Sequence, residues 1–358
     1  MAVIIKNKLE TDGVYDTLMI NSIRGDAPPR YKTPISPREN FFRFLKNDKP
    51  VWLPNTADFI TFIPKIFADN IARAFVFDNE AFDPDNNGGG PDAFNVEWEY
   101  IPAVGGSMVR PGNPVKIPDI SRWEDYIAFP DLNKLDWAHY RALNKGIVED
   151  DRVKVVWVMN GIFERLISFM TFENAALALI DEDQQEHVHR LFDRLCDFYD
   201  ELVDKFHVYY GADGIYFHDD WGSQRAPFFS VDTAREMIAP YLRRFCDSCH
   251  KRGMYVELHS CGKIETLVPV MIEAGVDIWS GQEMNDKVML VKKYCDRIKI
   301  GVFPRLPMDN ATDDDVVKAV EQLMEEYKGC LHGLAVFPMQ FNSDLLYRVI
   351  YDRTYMVM

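Results

Sequence analysis

The sequence predicts an α/β fold, a (β/α)8 TIM-type barrel with an irregular N-terminal extension over residues 1–48 that packs on it. Three observations carry that expectation. Eight short apolar runs alternate with amphipathic helical stretches, as in a parallel sheet covered by crossover helices. No glycine-rich dinucleotide fingerprint or phosphate loop follows any of the runs, which favours a closed barrel over an open doubly wound sheet. Polar and aromatic residues crowd the carboxyl ends of the runs, where a parallel barrel keeps its chemistry.

The first third is rich in turns, at residues 26–37, 83–91 (with Gly88-Gly-Gly) and 110–118. Strands are expected at residues 51–54, 74–77, 153–159, 214–218, 254–259, 276–280, 298–303 and 333–337. Helical patterns fall between them, at 187–209, 264–274, 289–295 and 313–327, the last with Thr312 and Asp313 as capping residues. Cys246-Asp-Ser-Cys249-His250 has the spacing of a c-type haem attachment site. It lies inside another helical pattern that Gly253 ends, so it is read as helix rather than haem site. One domain spanning residues 1–358 is expected.

Composition narrows the function. An apolar fraction of 47% over 358 residues is ample for a large core. A formal net charge of −16 argues against nucleic acid and anionic membrane surfaces as partners. No apolar run approaches the roughly 20 residues that cross a bilayer, and the N-terminus lacks a signal pattern, so a cytoplasmic protein without membrane contact is expected. Six cysteines over this length do not form a disulfide framework and remain as thiols able to bind metal.

The most informative run is Met254-Tyr-Val-Glu-Leu-His259-Ser-Cys261-Gly262. Side chains two apart on a strand point the same way, so His259 and Cys261 can grip one ion, and nitrogen with thiolate suits zinc better than magnesium or calcium. A chance pair with a buried cysteine is the plainer reading, but the strand end and the glycine turn favour a site. A catalytic zinc needs a third protein ligand. The next strand end offers Glu283, preferred over Gln282 because an anion matches a dication; a solvated loop carboxylate is the competing reading of Glu283. Cys295 and Cys330 are expected to be structural, since Cys330 precedes its strand and so lies at the opposite face.

A second concentration is His218-Asp219-Asp220-Trp221-Gly222-Ser223-Gln224-Arg225. Here His218, Asp219 and Asp220 are candidates for proton transfer or cation binding, against a reading as helix cap and internal ion pairs. Candidate substrate-binding residues at the strand ends are Trp157, Asn160, Trp221, Gln224, Arg225 and Gln340. Trp157, Trp221, Phe228, Phe229, Trp279 and Phe341 are considered for an aromatic lining, although such residues on barrel strands are more often core.

Several of these segments resemble the uroporphyrinogen decarboxylase superfamily, which includes zinc- and corrinoid-dependent methyltransferases. The resemblance runs through Pro37-Arg-Glu-Asn-Phe-Phe-Arg-Phe-Leu, Lys49-Pro-Val-Trp-Leu-Pro, Pro118-Asp-Ile-Ser-Arg-Trp-Glu-Asp-Tyr, Gly211-Ala-Asp-Gly-Ile, Phe228-Phe-Ser and, most specifically, Leu258-His-Ser-Cys-Gly. Family decarboxylases carry arginines after the first strand to hold a polycarboxylate; this chain has Val51-Trp-Leu-Pro-Asn-Thr-Ala-Asp-Phe there, with none. The methyltransferase branch fits better, and the resemblance implies zinc on His259 and Cys261. That branch commonly places a further cysteine after the last strand, where this chain has Pro338-Met-Gln-Phe-Asn-Ser-Asp344, so the third ligand stays open among Glu283, Gln282, Asp219 and Asp220. The resemblance implies methyl transfer from a small methylated substrate, for example an aromatic methyl ether, to the cobalt of a corrinoid carried by a partner protein, with zinc as Lewis acid. Its rivals are methylcorrinoid-to-thiol or -folate transfer, metal-free decarboxylation of a small acid through Asp219 or Asp220, and a barrel that only binds.

Overall fold

Seven parallel strands form the main sheet of the computed structural model, which describes residues 5–307, 311–336 and 344–358. In chain order they are β1 (Phe59–Phe62), β2 (Val153–Val158), β3 (Gly214–His218), β4 (Tyr255–Ser260), β5 (Ile278–Gly281), β6 (Lys299–Val302) and β7 (Leu334–Val336). Their order in the sheet is their order in the chain, which is the winding of a barrel rather than of a doubly wound sheet. The longer helices are α1 (Pro37–Leu45), α2 (Ile162–Met170), α3 (Glu182–Tyr210), α4 (Ala239–Lys251), α5 (Val268–Ala274), α6 (Lys287–Tyr294), α7 (Asp313–Glu326) and α8 (Asp344–Thr354).

The sheet curls strongly. Phe59 and Thr61 of β1 line the same interior cavity as Ala335 and Val336 of β7, with Val155, Trp157, Tyr216 and Glu257 between them. Among the described residues β1 and β7 share no ladder hydrogen bonds, so the curled sheet stops short of a closed ring. Alternation along each strand explains the lining: Trp157, Tyr216 and Glu257 point inward, while their neighbours Val156, Ile215, Phe217, Val256 and Leu258 are buried outside the cavity lining.

One end of the interior is sealed by α1. Ser36 caps it by accepting from Glu39 N at 3.1 Å, and Pro37 opens its first turn. The helix then presents Phe41 and Phe44, both 1% exposed, to the interior. The Phe41 ring lies 5.1 Å from Phe59 and 4.8 Å from Tyr255, the first residues of β1 and β4. Each such ring contributes about 2–3 kcal/mol by burial. The amino-terminal rim is thus plugged, and access is left to the carboxyl-terminal rim.

Two expected barrel strands are absent from the sheet. Residues 51–54 are buried but irregular, with bends at Val51 and Trp52: Val51 N donates to Asn40 Oδ1 (2.7 Å), Trp52 O accepts from Asn40 Nδ2 (2.9 Å) and Leu53 N donates to Thr354 Oγ1 (3.0 Å). Helix side chains, not a neighbouring strand, satisfy that backbone. The strand comes a few residues later at β1. Around 74–77, only Phe77 and Asp78 are strand, and they pair antiparallel with Met19–Ile20 in a small separate sheet. The eight-stranded expectation becomes seven parallel strands among the described residues because short apolar runs do not announce which partner will satisfy them.

The remaining strands and helices fall within a few residues of expectation, including the helix holding Cys246 and Cys249, both fully buried in α4. Thr312 and Asp315 form a reciprocal capping box at the start of α7. Among the described residues no helix is long and apolar enough to cross a membrane.

Candidate metal and active site

His218 ends β3 and stands in register with His259 of β4, so the two rings point to the same side. They stack at 4.8 Å with 28° between planes. Two residues on, Cys261 brings Sγ to 3.3 Å from His259 Nε2. Asp220, just beyond β3, accepts from Cys261 N at 2.6 Å. The ligand atoms of His218, Asp220 and His259 all lie within 4.8 Å of one another.

Glycine makes this convergence sterically feasible. Gly262 has φ +96°, and a Cβ there would sit 2.4 Å from the carbonyl carbon of Gly222. The loop after β4 therefore lies directly on the loop after β3, carrying Cys261 to Asp220. Gln282 Oε1 accepts from Gly262 N (2.9 Å), Ser260 Oγ accepts from Trp221 N (2.9 Å), and Asn285 Oδ1 accepts from Ile264 N (2.8 Å). These bonds fix the turn from three sides.

The two stacked imidazoles are sorted electrostatically. Burial disfavours charge on His218, but the Glu164 carboxylate, 2.5 Å from Nδ1, more than offsets this and raises its pKa. Burial and then the neighbouring His218 charge push His259 down to about 3, leaving it neutral with Nε2 against Cys261 Sγ. Burial also pushes Glu164 upward, yet His218 and Arg73 outweigh it and hold the carboxyl at about 2. Arg73 reaches Glu164 at 3.4 Å and Asn160 Oδ1 at 3.1 Å, with its guanidinium 5.0 Å over the Trp98 ring. Burial, then Glu164, raises Asp220; burial, then Asp220, raises the Cys261 thiol.

A cation fits this set. Desolvation and surrounding negative charge disfavour the anionic forms of Asp220 and Cys261, which is the balance a dication reverses. His259 already has the protonation state a ligand needs. His218, Asp220 and His259, whose ligand atoms converge, and Cys261, whose Sγ lies against His259 Nε2, are the residues that could hold zinc.

The other expected site residues sort differently. Asp219, 1% exposed, accepts from Phe163 N (3.2 Å), Glu164 N (2.8 Å) and Trp221 Nε1 (2.9 Å), so it caps α2; burial pushes it up to about 7. Gly161 permits that cap, since a Cβ there would meet the Asp219 Cβ at 2.3 Å. Glu283 is not with the cluster: its side chain is 67% exposed and pairs with Lys287. Trp157 stacks on Tyr216 at 4.0 Å in the interior, and Trp221 and Trp279 are fully buried, so these rings are core. Asn160 is buried between Arg73 and Asp69 and orients rather than faces a ligand. Gln224 and Arg225 lie on an exposed loop. Gln340 and Phe341 lie outside the described residues.

Beside the cluster opens a cleft of about 790 Å³, with Asp220, Glu164 and Arg73 on its wall. Trp98, Met108, Val109, Phe169, Phe172 and Phe228 also line it. Of the aromatic residues considered from sequence, Phe228 lines this cleft, while Phe229 packs edge-on against Phe163. The antiparallel hairpin of Glu97–Ile101 and Gly106–Val109, inserted between β1 and β2, builds the opposite wall. Glu164 and Arg73 were not singled out from sequence. Glu164 sits in the first turn after the Met159-Asn160-Gly161 strand end and was within reach of the same rule; Arg73, ending the short helix Ala68–Ala72, carries no local signal.

The family model described as uroporphyrinogen decarboxylase (URO-D) matches residues 91–335. Among solved structures, a methyltransferase from Methanosarcina mazei aligns with a TM-score of 0.60 at 14% identity, covering 89% of this chain and 98% of its own. At that identity the likeness is one of fold. An intracellular xylanase from Thermoanaerobacterium saccharolyticum aligns at TM-score 0.35 and 10% identity, covering 58% of this chain and 71% of its own. The 3-keto-D-glucoside 4-epimerase from E. coli gives 0.34 and 13%, covering 61% and 82%. No curated protein matches the chain in sequence.

Proposed function

The chain belongs to the uroporphyrinogen decarboxylase family, and we propose that it is a methyltransferase moving a methyl group from a small methylated substrate to the corrinoid of a partner protein. The observation that carries this reading is the meeting of His259, Cys261 and Asp220 at the strand ends, with Asp220 on the wall of an aromatic-lined cleft. One thiol among nitrogen and oxygen donors leaves a cation more electrophilic than a set of several thiolates. That favours a substrate whose methyl sits on oxygen, such as an aromatic methyl ether, over activation of a thiol acceptor. A zinc ion on these three residues would supply Lewis acidity towards the oxygen bearing the methyl group.

The chain's own groups complete the chemistry. The aromatic walls hold a flat apolar substrate with one end at Asp220. Arg73 keeps Glu164 anionic, and Glu164 keeps a proton on His218 Nδ1, leaving Nε2 to deliver a proton to the departing oxygen. The methyl carbon leaves oxygen without its electron pair, the nucleophilic acceptor supplies a new pair, and oxygen takes the proton. Both the metal and the acceptor are testable together. Aryl methyl ethers are incubated with reduced corrinoid protein, and methylation is read from the visible spectrum and from the phenol released. Loss of both signals in a folded His259→Ala/Cys261→Ala variant supports the reading, and undiminished turnover in that variant contradicts it.

A further inference from the structure

A second cluster of metal-ligating side chains lies at the other end of the sheet. Cys295 ends α6 just before β6, while Cys330 and His332 precede β7, so all sit at the amino-terminal rim. Ligand atoms of Cys295, Asp296 and His332 lie within 4.8 Å of one another, and His332 Nε2 is 3.0 Å from Asp296 Oδ1. Cys330 lies on the same turn, closed by Gly333 N donating to Cys330 O at 2.9 Å, and Gly333 packs against Cys295. One thiol, an imidazole and a carboxylate therefore occupy one small volume, with a second thiol on the adjoining turn.

The backbone is shaped for this approach. A Cβ at Gly333 would stand 2.4 Å from the Cys295 Cβ and 2.7 Å from its Cα, so only glycine allows the turn before β7 to lie on the end of α6. We propose that Cys295, Cys330, His332 and Asp296 hold a structural zinc ion that clamps the end of α6 to the entry of β7. Two sulfurs, one nitrogen and one oxygen complete the closed four-coordinate set of structural zinc, with no open position for substrate. The clamp falls where the sheet needs it, since β7 is the edge strand without ladder bonds to β1 among the described residues.

A disulfide is the competing use of the two cysteines. The imidazole and carboxylate beside the thiols serve a cation and contribute nothing to a disulfide.

The test compares the full-length wild type with a Cys330→Ser/His332→Ala variant. Both positions are partly exposed, and neither belongs to the upper cluster. Each protein is supplied with Zn²⁺ under reducing conditions and desalted, and zinc per chain is measured. The variant should carry one equivalent less than the wild type, whatever the upper rim binds. It should also melt several degrees lower in zinc and at the same temperature as the wild type once both are chelated. Equal zinc content in the two proteins overturns the proposal. So does a Cys295–Cys330 disulfide in peptide maps of the zinc-supplied wild type.

Discussion

The two rims of the curled sheet carry the same donor types in opposite settings. At the carboxyl-terminal rim, His259 near the end of β4 meets Cys261 and Asp220 from the loops after β4 and β3; all three are partly buried, and Asp220 borders a cleft of about 790 Å³. At the amino-terminal rim, Asp296 and His332 are largely or partly in solvent, with side-chain exposures of 83% and 31%, and the cluster joins a helix end to a strand entry. The upper cluster has a raised histidine stacked on a depressed one and an ordered carboxylate and guanidinium behind them. The lower has, beside its cysteines, a His–Asp pair at the surface. The same ligands thus have a reactive setting where burial separates their protonation states beside a cavity, and a clamping setting where they bridge two elements.

The largest effect expected from breaking this contrast is at the upper rim. His259→Ala/Cys261→Ala should lower turnover by roughly three orders of magnitude or more, the several kcal/mol a Lewis acid contributes, while the melting temperature changes far less. Steady-state assay and calorimetry on one preparation check both. Next comes His218→Gln, expected to reduce kcat about 100-fold, the lower end for loss of a proton donor, with zinc content unchanged. Loss of zinc along with activity would instead make His218 a ligand.

The lower rim should respond in the reverse sense. Cys330→Ser/His332→Ala should leave kcat of the folded protein unchanged and lower the melting temperature, so a large fall in kcat at temperatures where the variant is folded would erase the distinction between rims. The smallest effect is expected for Glu283→Gln. Its carboxylate is exposed and paired with Lys287, so activity and zinc content should hold, with stability altered by about 0.5–1 kcal/mol.

What the sequence made legible follows from local physics. The His-x-Cys pair was readable because strand alternation fixes the direction of i and i+2 side chains. The strands from β2 to β7 were readable as apolar runs with turns between them. The division of Asp219 from Asp220 was not, since adjacent residues of one type differ only in what faces them: Asp219 meets the backbone amides of α2, Asp220 meets Cys261. Glu283 was favoured on charge alone, and the structure gives it Lys287, a partner four residues along the chain and on no strand end. The pairing of Cys295 with Cys330 depends on Gly333 letting two distant segments touch, and nothing local to either cysteine announces it. Arg73 reaches Glu164 only through tertiary folding of the first third of the chain.

Zinc content in a background lacking the lower cluster reads the cation at the carboxyl-terminal rim without interference. In the Cys330→Ser/His332→Ala protein, one zinc per chain is predicted, falling to none when His259→Ala and Cys261→Ala are added. Zinc absent from the first protein, or retained undiminished in the second, would contradict it.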